Sequence, residues 1–128
     1  MRSTATSDCP TQGLTSVVIP VHNGQAFIAE AIASAKKQTY RLREIIVVDD
    51  GSTDATADLV KRIDGVRYFF RPRGGPASAL NFGADHARGS HIAFLSADDL
   101  WLPEKVERQL RHFENDPDLA GVFTLARL

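Results

Sequence analysis

A chain of 128 residues fits one folding domain of roughly 100–200 residues, and its 43% hydrophobic and 24% charged composition excludes a disordered or low-complexity chain. Fifteen basic against sixteen acidic side chains leave a net charge of −1, which excludes a protein that coats nucleic acid or an anionic membrane; a polyanionic ligand would be small and held locally. The single cysteine, Cys9, has no partner for an intrachain disulfide. Residues 1–13 lack the apolar core of a secretion signal, and no run approaches 18 apolar residues, so a soluble, cytoplasmic chain without a transmembrane segment is expected.

Residues 1–13 are polar and aperiodic and read as a flexible arm, leaving 14–128 as the domain. From Ser16 the run S-V-V-I-P is short, apolar and β-branched, as in a strand buried on both faces. After His22-Asn23-Gly24, the spacing of Phe27, Ile28, Ala31, Ile32 and Ala35 predicts one face of a helix. The unit then recurs. Ile45 to Val48 is a second strand stopped by Asp49-Asp50-Gly51, and Ser52 is placed to N-cap a helix whose inward side carries Ala55, Leu59, Val60 and Ile63. Val66 to Phe70 is a third strand, broken by Arg71-Pro72-Arg73-Gly74-Gly75-Pro76 and followed by a helix marked by Leu80, Ala84 and Ala87. Ile92 to Leu95 is a fourth, halted by Ser96-Ala97-Asp98-Asp99; Val106, Leu110 and Phe113 mark the last helix, and residues 121–125 begin a fifth strand.

Strict alternation of strand and helix predicts an α/β fold, a Rossmann-like, mostly parallel sheet with helices on both faces and right-handed crossovers. Ligands of such sheets bind beyond the carboxyl ends of the strands. The loops leaving those ends hold two adjacent carboxylate pairs, Asp49-Asp50 and Asp98-Asp99, which repel each other unless a cation lies between them. A divalent cation, Mn2+ or Mg2+, carried with a diphosphate answers that repulsion. The bland alternative has Asp50 closing a turn before Gly51 and Asp99 N-capping the last helix. Side chains alternate along a strand, so one acid of each pair is free for a structural role. Neither G-x-G-x-x-G nor G-x-x-x-x-G-K-[ST] occurs, which disfavours a dehydrogenase or P-loop enzyme. Arg71 and Arg73 can fork onto phosphate oxygens or lie on a ring, or can simply be solvated. His22 is the one histidine on a ligand-side loop, open to a catalytic or a packing role. A phosphate-receiver domain is excluded by order, because a complete βα unit precedes the acidic pair.

The segments T-S-V-V-I-P-V-H-N-G at 15–24, E-I-I-V-V-D-D-G-S-T-D at 44–54, G-G-P-A-S-A-L-N-F-G at 74–83 and A-R-G-S-H-I-A-F-L-S-A-D-D-L-W-L-P-E-K at 87–105 together resemble the family 2 glycosyltransferases. The resemblance spans residues 15–125 and implies the N-terminal, donor-binding half of a GT-A domain, truncated relative to the family. It implies a nucleotide-diphosphosugar donor, UDP-linked in expectation, a divalent cation, and inverting transfer to an acceptor hydroxyl. Position by position it puts Pro20, His22, Asn23, Asp49, Asp50, Ser52, Gly74, Gly75, Asn81 and Asp98 around the nucleotide, with Ala79 beside it, and Asp98 and Asp99 on the metal. The family's general base and acceptor region lie beyond the stretch that corresponds to Leu128. Without a positioned base, transfer forgoes roughly 10²- to 10⁴-fold, so a nucleotide- or metal-binding module without transferase activity is the alternative, and apolar surface left uncovered would favour homo-oligomers. Three positions depart from the family pattern: His22 stands for the common tyrosine, Leu80 for a frequent basic residue, and Ser96 for the first acid of D-x-D.

Overall fold

A computed structural model of the chain describes residues 15–115, with the side chains of 113–115 outside the description. Four strands, β1 (Thr15–Val21), β2 (Glu44–Asp50), β3 (Val66–Arg71) and β4 (His91–Phe94), alternate with four helices, α1 (Ile28–Lys36), α2 (Thr56–Lys61), α3 (Pro76–His86) and α4 (Lys105–Asn115). Every pairing is parallel and the order is β3-β2-β1-β4. The expected strands and helices are therefore present in the expected order. The fifth strand at 121–125, the arm at 1–13 and the Phe113 side chain fall outside the described residues.

Strand phase divides the core in two. Val17, Ile19 and Val21 of β1 and Ile45 and Val47 of β2 pack with Ile28, Ile32, Val60, Val106 and Leu110 from α1, α2 and α4. Val18, Ile46 and Val48 face the other way and meet Ala79, Leu80 and Phe82 of α3. From Ile46 to Val48 the strand is fully buried because both faces are covered, which is why it reads as an unbroken apolar run. The chain steps from β1 to β2 to β3 in one direction and then returns past β1 to β4. Right-handed crossovers send α3 to the face opposite α1 and α2 when the direction reverses.

Two local expectations are corrected. The helix after β2 starts at Thr56 with Ala55 in the cap position, and Ser52 does not cap it. Phe27 stands in the N-cap position of α1 with φ −128°, outside helical phase, and is 54% exposed. The alternative in which Asp99 caps the last helix also fails, since α4 begins at Lys105.

Candidate functional site

The reversal of strand order lies at β1, between β2 and β4, and a crevice opens there beyond the strand C-termini, as the packing of crossovers on opposite faces requires. It has a volume of about 320 Å³ and is walled by Pro20 near the end of β1, His22 and Phe27 after it, Asp50 and Arg73 on the β2–β3 side, and Ser96 and Asp98 after β4, with Ala79 of α3 behind. A larger, shallower depression of about 600 Å³ sits at the opposite edge, where β2 begins, beside Lys36, Arg43 and Glu44. The convergent carboxylates and glycine loops lie at the first, so the chemistry belongs there.

Asp49 and Asp50 close β2 on opposite faces. Asp49 is fully buried on the α1–α2 face, where Oδ1 accepts the Ser52 N–H at 2.9 Å and Oδ2 accepts the Tyr68 hydroxyl at 2.6 Å. Burial, reinforced by the hydrogen bond to Asp49 and its charge, pushes the Tyr68 hydroxyl well above its ordinary value. The turn-closing role expected of Asp50 is thus taken by Asp49. Asp50 faces the cleft and accepts Gly74 N–H on Oδ1 and Gly75 N–H on Oδ2, each at 2.9 Å, with Arg71 and Arg73 each 3.8 Å away. One carboxylate thereby shapes the glycine loop that leads into α3.

The β1 loop is tied to the β2 loop across about thirty residues of sequence. Asn23 adopts φ +51°, a conformation its short amide tolerates; its N–H donates to Ser52 Oγ and its Oδ1 accepts the Thr53 N–H, both at 2.8 Å. Gly24 N–H donates to Thr56 Oγ1, whose hydroxyl donates to Asp54 Oδ1, while Asp54 Oδ2 accepts the Gln25 N–H. The Thr56 hydroxyl, followed by the backbone N–H groups of Thr56 and Gln25, holds the Asp54 carboxyl below its usual range. His22 Nδ1 lies 2.9 Å from the Asp50 carbonyl oxygen. A carbonyl only accepts, so Nδ1 carries a proton, while the Asn23 amide Nδ2 stands 3.3 Å from Nε2.

Of the residues expected around a nucleotide, Pro20, His22, Asp50 and Asp98 line the cleft. Asn23 and Ser52 hold the two loops together, Gly74 and Gly75 bind Asp50 through their backbones, Asp49 faces away, and Asn81 is exposed on α3. Phe27 and Arg73 line the cleft without having been placed there by the family pattern, and Tyr68 and Asp54 emerge as the partners that orient the loops. Strand alternation, which puts Tyr68 on the face of Val47 and Asp49, was the available signal for Tyr68.

Among the described residues no three His, Cys, Asp or Glu side chains gather as a metal cage. Asp98 is an exposed carboxylate on the cleft wall, with exposed Asp99 beside it and the Asp99 N–H bonded to the Ser96 carbonyl. That donor set fits a hard cation that arrives with a diphosphate and keeps most of its ligands as water and phosphate oxygens.

An all-parallel sheet with a cleft where the strand order reverses defines an α/β protein of the doubly wound type, whose ligands bind at that point. The chain belongs to glycosyl transferase family 2, whose family model matches residues 16–127. An uncharacterised glycosyltransferase of Rickettsia typhi is 46% identical over 98 residues, covering 76% of this chain and 31% of that protein. Chondroitin synthase of Pasteurella multocida is 37% identical over 118 residues, covering 89% and 12%. Among solved structures, S. aureus TarS 1-349 in complex with UDP-GlcNAc is 27% identical with a TM-score of 0.72, covering 79% of this chain and 31% of that one. Mannosyltransferase PcManGT from Pyrobaculum calidifontis, in complex with GDP-Man and Mn2+, is 30% identical with a TM-score of 0.67, covering 75% and 30%. The sheet and helices match the GT-A fold of these glycosyltransferases. The chain spans about a third or less of the length of these four proteins.

Proposed function

We propose that this chain supplies the donor-binding part of a glycosyltransferase that takes a nucleotide-diphosphosugar, UDP-linked, and transfers the sugar with inversion to an acceptor hydroxyl. The observation that carries the reading is the cleft at the switch point, walled by His22 and Asp50 at one side and by Ser96 and Asp98 at the other. Asp50, saturated by Gly74 and Gly75, holds the loop beside the nucleoside, and Pro20, Asn23, Ser52 and Asn81 complete its surroundings. Asp98, with Asp99, would hold Mn2+ or Mg2+ against the diphosphate. A cation there would neutralise charge developing on the departing nucleoside diphosphate. Support comes from family membership, from the UDP-GlcNAc and GDP-Man complexes of the neighbouring structures, and from the Mn2+ in one of them.

Calorimetric titration of the 128-residue chain with UDP and UDP-sugars, with and without Mn2+, tests the reading. Tighter binding with Mn2+ is expected, and Asp98→Asn should remove about tenfold or more of that gain, a loss of ~1.4 kcal/mol, while leaving metal-free affinity unchanged. Absence of any nucleotide binding would overturn it. Binding without sugar release or transfer would favour the module without transferase activity.

A further inference from the structure

The depression of about 600 Å³ where β2 begins lies at the other end of the sheet from the cleft, and its wall is basic. Residues 36–43 hold Lys36, Lys37, Arg41 and Arg43 and no acid. Lys36 and Lys37 sit at the C-terminal end of α1, where they offset the negative end of the helix dipole; Arg41 and Arg43 lie past it and have no such role. Both arginines are exposed and line the depression, and among the described residues neither guanidinium has a hydrogen bond or an ion pair. Glu44, the one carboxylate on the wall, is already occupied: Oε1 accepts from Arg67 Nη1 and Oε2 from the Ser16 hydroxyl, each at 2.6 Å. The Lys36 ammonium donates to the Asp64 carbonyl, which holds it at the rim beside Gly65 with further N–H donors to spare.

A second observation falls at the same place. Among the described residues two buried side-chain polar atoms have no hydrogen-bond partner, the Tyr40 hydroxyl and Thr15 Oγ1. Tyr40 lines the depression and is 3% exposed; Thr15 opens β1, in phase with Val17, and its carbonyl accepts the Arg43 N–H at 2.8 Å. Both therefore belong to one end and one face of the sheet. Buried polar groups are normally partnered, so this end is short of polar partners just where its cations are unneutralised. We propose that the depression is a second ligand site, distinct from the cleft, which takes the phosphate monoester group of a small molecule. A phosphate dianion has oxygens enough for the forks of Arg41 and Arg43 and for Lys36, whereas a lone carboxylate answers one fork. An oxygen settled against Tyr40 supplies the acceptor its hydroxyl lacks. Ala35, Leu42 and Ile45 give the apolar part of the wall, which suits the carbon skeleton of the ester. The ligand is small because the basic wall is local, on a chain of net charge −1.

The test follows backbone amides of the isotope-labelled 128-residue chain by NMR during titration with glycerol 3-phosphate and with inorganic phosphate, in EDTA so that no cation recruits phosphate to Asp98. Saturable shifts are expected at Leu42, Arg43 and Gly65, with Gly74, Gly75 and Asp98 unmoved. Arg41→Ala and Arg43→Ala should each weaken glycerol 3-phosphate by about tenfold, and Tyr40→Phe by about threefold. Arg108→Ala, which removes an exposed charge on α4 outside the depression, should bind as the parent does. The two arginines are exposed and without hydrogen bonds from their side chains, so their variants should melt with the parent and separate lost binding from lost fold. Absence of a saturable shift would overturn the proposal, as would shifts confined to the cleft or an equal loss in Arg108→Ala. So would a chain that floats with phosphatidylglycerol vesicles but gives no saturable shift with glycerol 3-phosphate, since the depression would then be part of a lipid-facing surface. None of these outcomes depends on nucleotide binding at the cleft.

Discussion

Asp49 and Asp50 are chain neighbours with 0% and 3% exposure, yet they serve different faces of the sheet. Asp49 depends on Tyr68, so Tyr68→Phe leaves a buried carboxylate with one partner fewer. A loss of about 1.5–3 kcal/mol, the usual worth of a hydrogen bond to a charged group, is expected in urea denaturation. The raised ionisation of Tyr68 makes its contribution fully present below its ordinary value of 10.0 and lost only as pH climbs through the higher folded value. Alkaline absorbance titration of parent against Tyr68→Phe should accordingly show one tyrosine resisting ionisation. Glu44 gives the opposite sign. Burial raises its carboxyl, but the Ser16 hydroxyl, the Arg88 N–H and Arg67 together outweigh it and leave the group below the ordinary 4.5. The stability it adds is therefore present above that value and disappears as pH falls through the folded one. Melting temperatures between about pH 6 and 3 should fall more steeply for the parent than for Glu44→Gln.

At the scale of elements, α3 is held against β1 by the absence of a side chain. A Cβ on Gly83 would stand 2.3 Å from Val18 Cγ1 and 3.2 Å from Val48 Cγ2. Alanine gains up to ~1 kcal/mol of helix propensity over glycine, but the clash is with two fully buried strand residues that cannot retreat. Gly83→Ala should destabilise by about 1–3 kcal/mol in chemical denaturation, and the double variant Val18→Ala with Gly83→Ala should cost less than the two singles summed. The helix ending at α4 is anchored differently. Gln38, just past α1, donates to the Leu102 carbonyl and accepts the Val106 N–H, and the Trp101 N–H donates to Ser34 Oγ. These bonds draw the segment after β4 over α1, so that Ser96 and Asp98 border the same cleft as His22.

For the molecule as a whole, the coverage of the sheet is unequal. α3 shields Val18, Ile46 and Val48, but on that same face Ile92 and Phe94 of β4 remain 40% and 50% exposed. Exposed apolar side chains grouped on a strand favour association. Light scattering should give a mass above that of the monomer that rises with concentration, and Ile92→Ser with Phe94→Ser should return it toward the monomer; a parent that stays monomeric throughout would contradict this. No helix among the described residues is long and apolar enough to cross a membrane.

Hydrophobic period is a local property, so the sequence by itself determined the alternation of strands and helices, the parallel sheet, and which loops leave strand C-termini. The motifs at 15–24, 44–54 and 87–105 were legible for the same reason, each being contiguous. What contiguous chemistry could not assign was direction. Whether Asp49 or Asp50 faces the cleft depends on the phase of β2 within the sheet, and Phe27 reads as a core residue until α1 is seen to start one residue later. Only tertiary structure separated Arg71, bound to Ser78, from Arg73, left at the cleft wall, and only it joined Asn23, Gly24 and Gln25 to residues 52–56. Those pairings bring together groups about thirty residues apart through strand register and crossover hand, which no window of sequence encodes.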